Sequence, residues 1–267
     1  YPLRDVYKRQ MLNAFTGEHR AIVSDIPGTT RDAIDTQVEW KGKKVRLIDT
    51  AGIRRRGKIQ GSVEYYMVNR AQIALDRAEC ALLVIDGREG LTDGDKRVAK
   101  HSLESGKPLV IAVNKWDLVE PPDGSLGKLS PIKKDFIRIL KEQPPELDYA
   151  IVRFTSAQEE KGMEGVMKAV FMAVENWQFR VGTGVLNRLI QDATFDKPLT
   201  RKGLPFRVRY VTQAETCPPT FVMFCNRPDL LHFSYQRYIE NQIRKKYPLE
   251  GTPVRLVARA SREKGDD

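Results

Sequence analysis

Cysteine is scarce in this chain. Cys80, Cys217 and Cys225 are the only thiols in 267 residues, and they form no C-x-x-C pair and leave an odd count. That excludes a disulfide-stapled scaffold and fits reduced thiols in a cytoplasmic protein. Histidine is equally rare, and His19, His101 and His232 lack metal-ligand spacing, so no zinc site is expected. No apolar run approaches ~20 residues, so no membrane span is expected. The N-terminus lacks the basic, apolar and small-residue succession of a signal peptide.

What is present is a globular composition, 41% hydrophobic and 30% charged, long enough for one large or two modest domains. Lys and Arg number 45 against 35 Asp and Glu, and the excess is uneven. Residues 182–267 hold 15 basic and 9 acidic residues, a net +6; the longer remainder carries only +4. The smaller part is the more basic one. A polyanionic partner would explain this, although a solvated basic surface reads the same from charge alone.

From about residue 35, strand and helix patterns alternate. DTQVEW and KKVRLIDTAG flank Lys41-Gly42-Lys43 as a hairpin. Then come the helix SVEYYMVNRAQIALDRA, the buried strand ECALLVIDG, the helix TDGDKRVAKHSLESG ended by Gly106, and the buried strand PLVIAVNKWD. IKKDFIRILKEQ is expected as an amphipathic helix with Phe136, Ile139 and Leu140 on its apolar face, stopped by Pro144-Pro145. YAIVRFTSA and GMEGVMKAVFMAVENW supply another buried strand and a closing helix. Short apolar strands between helices imply a mostly parallel sheet covered on both faces. Loops at the carboxyl ends of such strands build the binding site. After Trp177 the order becomes α-β-β-α-β, a compact α+β unit, with the boundary expected near Arg180 to Thr183. The domains are thus 11–181 and 182–267, with 1–10 a separate segment.

The strand exits carry the chemistry. PLVIAV runs into Asn114-Lys115-Trp116-Asp117. A carboxylate there can accept two hydrogen bonds from the N1–H and exocyclic amine of guanine, which adenine cannot supply. A site built on such bonds discriminates by roughly 10⁴-fold or more. Asn114 can bond another edge of the base, and the Lys115 stem can cover its face. VRLI runs into Asp49-Thr50-Ala51-Gly52, where an acid can hold Mg²⁺ through water and a glycine admits a terminal phosphate. YAIVRF ends in Thr155-Ser156-Ala157, whose backbone can meet a base edge. Asp25–Asp32, DIPGTTRD, offers two adjacent hydroxyls for a Mg²⁺ shell. Singly, each pattern also suits a polar turn; as an ordered set, each leaving a strand, they are specific.

P-G-T-T-R-D, D-T-A-G, N-K-W-D and S-A resemble the Era-like GTPases. AIVSDIPGTTRDAID, IDTAGIRRRGKI, SVEYYMVNRAQIA, VIAVNKWDL, PPTFVMFCNRPDLLHFSYQRYIENQIR and LEGTPVRL are more closely similar to the Der (EngA) family, which has two tandem G domains and a C-terminal KH-like domain. The resemblance covers Met11 to Ala260. It implies an α/β, P-loop-NTPase-like G domain followed by an α+β KH-like domain, and a GTPase that assembles the large ribosomal subunit with GTP state gating rRNA contact. It further implies GTP with Mg²⁺, possible K⁺, contacts to rRNA and ribosomal protein, and a monomer. Asp49, Thr50, Ala51, Gly52, Ile53, Asn114, Lys115, Trp116, Asp117, Ser156 and Ala157 would bind nucleotide. Thr30, ahead of Thr29, and Asp49 through water would hold Mg²⁺; Thr30 and Gly52 would serve catalysis.

Two departures follow from that resemblance. Family members place a strand and a G-x-x-x-x-G-K-[ST] phosphate loop before the helix containing Met11-Leu12-Asn13-Ala14-Phe15, whereas this sequence reads DVYKRQMLNAF and has no such pattern. The expectation is a G domain truncated at its first strand, with residues 1–10 foreign to the family and this polypeptide inactive as written; the alternative to the GTPase function is a fragment acting only as an rRNA- or ribosome-binding module. Ile53 stands where Ras-type enzymes orient water with Gln, so another group must do so. In the KH-like part no G-x-x-G clamp occurs. Arg237, Arg244 and Lys245, at i, i+7 and i+8 of one helix, are the expected RNA or ribosome contacts, and Arg54-Arg55-Arg56 adds a basic run.

Overall fold

Trp40-Lys41-Gly42-Lys43 turns the chain because both central residues have positive φ, 47° at Lys41 and 78° at Gly42. Such a turn matches the twist of the strands it joins. Those strands are β1 (Thr36–Trp40) and β2 (Lys43–Leu47), paired antiparallel. The computed structural model describes residue 11 and residues 35–48, 72–120, 129–142, 147–201 and 203–261, and elements are numbered within these. Its contacts divide the chain into Tyr1–Phe171 and Met172–Asp267. This division falls earlier than Arg180, inside a continuous helix.

In the first unit β3 (Ala81–Asp86), β4 (Leu109–Asn114) and β5 (Ile151–Phe154) form a parallel sheet in the order β3-β4-β5. Every residue of β4 is buried. Its alternate side chains Leu109, Ile111 and Val113 join one apolar cluster, and Ala112 faces another containing Trp40, Met163, Val166 and Met167. Burial of each large aliphatic side chain contributes about 1.5–3 kcal/mol. A slip of one residue would exchange the two faces, so this core fixes where the strand ends.

The helices obey their end signals. Thr92 caps α1 (Asp93–Glu104) through a reciprocal capping box with Asp95, and Gly106, at φ 69°, closes it with its N–H on Leu103 O. Helix α2 (Pro131–Glu142) corrects one expectation. Ile139 is 51% exposed, and the buried stripe is Lys133, Phe136, Ile137 and Leu140. A lysine at the first of those positions disguised the true face. Helix α3 (Met163–Trp177) closes the unit and crosses the contact division.

In the second unit the last turns of α3 bond the loop near Thr252: Asn176 Nδ2 donates to Glu250 O and Thr252 Oγ1 to Ala173 O, each at 2.9 Å. Helix α4 (Thr183–Asp196) precedes a short pair, β6 (Thr200–Arg201) and β7 (Leu204–Pro205), that sequence periodicity did not reveal. Then come β8 (Val208–Thr216), β9 (Pro219–Cys225), α5 (Phe233–Lys246) and β10 (Arg255–Ala260). β9 lies between antiparallel β8 and parallel β10. Leu186, Ile190 and Ala193 of α4 and Tyr235, Ile239 and Ile243 of α5 share one core with Val211, Phe221, Met223 and Cys225. Alternation along the strands sends those residues to one face and their neighbours to the other.

Candidate functional site

The parallel sheet brings the exits of β3, β4 and β5 to one end. Register pairs Asp86 with Asn114 directly across β3 and β4. Asn114 is 1% exposed, and its Oδ1 accepts the Ala157 N–H at 2.9 Å and the Thr155 hydroxyl at 3.3 Å. One side-chain oxygen thereby ties the loop after β4 to the loop after β5. Its amide nitrogen is buried without a partner among the described residues. A buried N–H left unmet costs stability, so its partner lies beyond the described residues.

Lys115 adopts the left-handed conformation, φ 59° and ψ 35°, and reverses the chain into a 3₁₀ turn, Trp116–Leu118. Its ammonium lies 3.0 Å from Asp86 Oδ2. Burial pushes the Asp86 carboxyl towards a higher pKa. The Arg88 N–H, the Lys115 ammonium and the Glu89 N–H together outweigh burial and hold it below the ordinary value. Gly87 donates its N–H to Asn114 O at 2.8 Å, and a Cβ there would lie 3.2 Å from that oxygen and from the Trp116 ring.

Trp116, expected as a nucleotide contact, has its side chain turned into the core at 1% exposure. Its ring packs against Phe154 and Phe136 at centroid distances of 4.2 and 5.3 Å, and its Nε1–H donates to Glu120 at 2.8 Å. Glu120 also accepts from Ser130 Oγ and lies 3.8 Å from the Lys133 ammonium. The indole therefore anchors the turn from below. Asp117, in the next position, is partly exposed at the sheet end.

Ser156 is fully buried, and its Oγ accepts the Glu159 N–H at 3.2 Å. Reciprocal backbone bonds of 3.0 and 2.9 Å join it to Lys161. Gly162 follows at φ 84°, where a Cβ would come within 2.4 Å of Phe154 O. Only glycine fits there. The structure thus assembles Asn114, Lys115, Asp117, Thr155, Ser156 and Ala157, and adds Asp86, Glu120, Lys133 and Gly162. The Asp-Gly pair closing ECALLVIDG was the available signal for Asp86; the others needed tertiary contacts.

Thr29, Thr30, Asp49, Thr50, Ala51, Gly52, Ile53, Arg54-Arg55-Arg56 and residues 1–10 lie outside the described residues, and with them the expected Mg²⁺ ligands. In the second unit Arg244 donates to Glu240 Oε1, Leu249 O and Thr252 O at 2.9, 2.6 and 2.9 Å. Its guanidinium is committed to the end of its own helix. Arg237 is half-buried and has a partner within the protein, and Lys245 is exposed. No helix among the described residues is long and apolar enough to cross a membrane.

Two family profiles match the chain. One, described as a 50S ribosome-binding GTPase, matches residues 8–115. The other, the KH-domain-like C-terminal domain of EngA bacterial GTPase enzymes, matches residues 180–259. GTPase Der of Fusobacterium nucleatum is 44% identical over 250 residues, covering 93% of this chain and 56% of that protein. GTPase Der of a Geobacillus species is 43% identical over 256 residues, covering 96% and 57%. The chain therefore spans little more than half the length of these relatives. Among solved structures, Era in complex with MgGDPNP and part of 16S ribosomal RNA matches with a TM-score of 0.42 at 19% identity, covering 95% of this chain and 88% of that one. The chain is a homologue of the Der/EngA GTPases, carrying G-domain sequence followed by the KH-like C-terminal domain.

Proposed function

We propose that the chain supplies the guanine-recognising part and the KH-like domain of a GTPase that acts in assembly of the large ribosomal subunit in the bacterial cytoplasm. The observation that carries this reading is the buried Asn114, whose oxygen is spent on the β5 loop while its amide nitrogen has no described partner. The nitrogen donates to an acceptor on the base, and Asp117 accepts from the guanine N1–H and amine. The Lys115 stem, held over the sheet end by Asp86, covers a ring face. Ser156 and Ala157 complete the base pocket through the backbone.

Phosphate chemistry belongs to other residues. Thr30 and, through water, Asp49 would hold Mg²⁺, which neutralises charge on the triphosphate when bound. Thr50 to Ile53 would form the backbone approach to the γ-phosphate, with Gly52 leaving room for it. K⁺ would serve beside the phosphates, since Ile53 cannot orient water. In this reading GTP state gates contact with rRNA and ribosomal protein, with Lys245 exposed on α5 and Arg237 and Arg244 contributing beside their bonds within the protein. The protein acts as a monomer.

A second reading has a specific basis. These 267 residues contain no G-x-x-x-x-G-K-[ST]. By themselves they lack the lysine and the nest of N–H groups that hold a triphosphate in line. This polypeptide would then bind guanine nucleotide weakly, turn it over no faster than buffer, and act through the KH-like domain. Equilibrium dialysis with GDP, GTP and ATP, beside phosphate release in Mg²⁺ and K⁺, tests both. Guanine nucleotides should bind in preference to ATP, with no turnover above buffer. Equal binding of ATP would remove the base pocket.

A further inference from the structure

The KH-like sheet has a second face away from its two helices, with Thr220 and Val222 buried on its central strand and Tyr210, Arg255, Val257 and Arg259 exposed on the strands beside it. Val211, Phe221, Met223 and Cys225 point into the core with α4 and α5. Tyr210, Thr212, Thr220, Val222, Phe224, Arg255, Val257 and Arg259 occupy the opposite face by alternation. None of the apolar residues among them belongs to an apolar cluster of the described residues.

Register arranges this face in rows. Arg259, Phe224 and Tyr210 lie side by side across β10, β9 and β8; Val257, Val222 and Thr212 form the next row. The Phe224 and Tyr210 rings stand 6.2 Å apart, and Tyr210 is 45% exposed. A bulge between Val208 and Tyr210 brings exposed Arg209 beside this pair. Arg207 and Arg255 are exposed on the same strands' length, Arg209 and Arg255 also having partners within the protein. Glu215, opposite Thr220, is the acid of this face and sits at its far end.

We propose that this open face is a platform for single-stranded RNA, in which bases stack on Tyr210 and Phe224 while Arg259 and Arg209 take the flanking phosphates. The proposal rests on the reading that the protein works on ribosomal RNA, and it adds to the α5 contact a separate, single-stranded one on the sheet. Two π-faces on adjacent strands, bordered by guanidinium groups, are the arrangement by which sheet-based RNA modules hold unpaired nucleotides without reading their sequence. A pair that served the sheet alone would need no arginine beside it. Residues 182–267 contain no G-x-x-G clamp to do this work at a helix pair.

The test is fluorescence anisotropy of the whole 267-residue chain with labelled oligouridine and oligoadenosine RNA of about 12 nucleotides, within the site sizes such platforms occupy. Tyr210→Thr should weaken binding by roughly 5- to 100-fold, the range for losing one stacked base, and Tyr210→Phe should restore it. Arg259→Thr should make the slope of log affinity against log salt shallower by about 0.7. Lys134→Ala, a surface change on α2 in the other unit, should change neither. Loss in Arg237→Ala/Lys245→Ala with intact binding in Tyr210→Thr would overturn the sheet site while leaving the RNA reading standing, as would binding that neither of these two variants affects. Failure of Tyr210→Phe to restore binding would reduce Tyr210 to a structural role and overturn the platform. Absence of binding to these oligonucleotides and to structured ribosomal RNA alike at low salt would overturn both the platform and the RNA reading.

Discussion

Asp86 and Lys115 meet at 3.0 Å across the ends of two neighbouring parallel strands. Lys115 reaches that position only because its backbone takes the left-handed turn that starts the 3₁₀ helix. The pair therefore couples backbone conformation to side-chain placement at the base pocket. Asp86→Asn should lower guanine-nucleotide affinity severalfold, since the Lys115 stem is no longer held, while leaving the preference over ATP intact. Dialysis with both nucleotides reads the two effects separately.

The same pair has a pH signature. The Asp86 carboxyl is held below its ordinary value, with burial opposed by the Arg88 N–H and the Lys115 ammonium. Its contribution is therefore present above the unfolded-state pKa and lost as pH falls through the lower folded value. Melting temperatures of wild type and Asp86→Asn should differ near neutrality and converge below about pH 4, the ordinary Asp range. A constant difference at all pH values would assign the effect to geometry alone.

Glu120 joins the Trp116 indole, Ser130 and the buried Lys133. Removing the acid takes the counter-charge from a buried ammonium and the acceptor from an indole N–H. Glu120→Ala should cost about 3–5 kcal/mol in urea unfolding. Lys133→Met should cost far less, because Glu120 keeps two donors and the methionine stem fills the same stripe. A larger loss in Lys133→Met than in Glu120→Ala would reverse this account.

Gly162 closes the loop after β5 at φ 84°, where a Cβ would clash with Phe154 O. Gly162→Ala should destabilise by at least ~1–3 kcal/mol from backbone strain alone. The loss should appear as a lower urea midpoint at unchanged slope.

The three thiols should differ in reactivity. Burial, helped by Glu79, pushes Cys80 up to about 12, and burial raises Cys225 as well. Cys217 is exposed. Because the thiolate is the nucleophile, iodoacetamide near neutral pH should modify Cys217 first, the half-buried Cys80 more slowly, and Cys225 only on unfolding. Peptide mass analysis of a timed reaction checks the order.

Much of this was legible from local signals. Alternation and apolar runs located β3, β4 and β5, Gly106 and Thr92 bounded α1, and N-K-W-D lay where its strand exit required. What escaped reading depended on tertiary partners. Trp116 looked like part of a binding motif because its letters sit inside one, yet Phe136 and Phe154 claim its ring. Lys133 hid the buried face of α2, since charge conceals a position whose partner, Glu120, lies on another element. Arg244 looked like surface charge until the carbonyls of Leu249 and Thr252 folded back on it.

The base pocket is the central claim, and Asp117→Asn tests it most directly. A carboxylate accepts two bonds from guanine, whereas an amide accepts one and donates to the changed edge of xanthine. Ligand-observed NMR titration of wild type and Asp117→Asn with GDP and xanthosine diphosphate compares the two at the same sheet end. The account predicts that wild type prefers GDP and that the variant prefers the xanthosine nucleotide. Unchanged preference in Asp117→Asn, or no contact with guanine nucleotide in wild type, would contradict it.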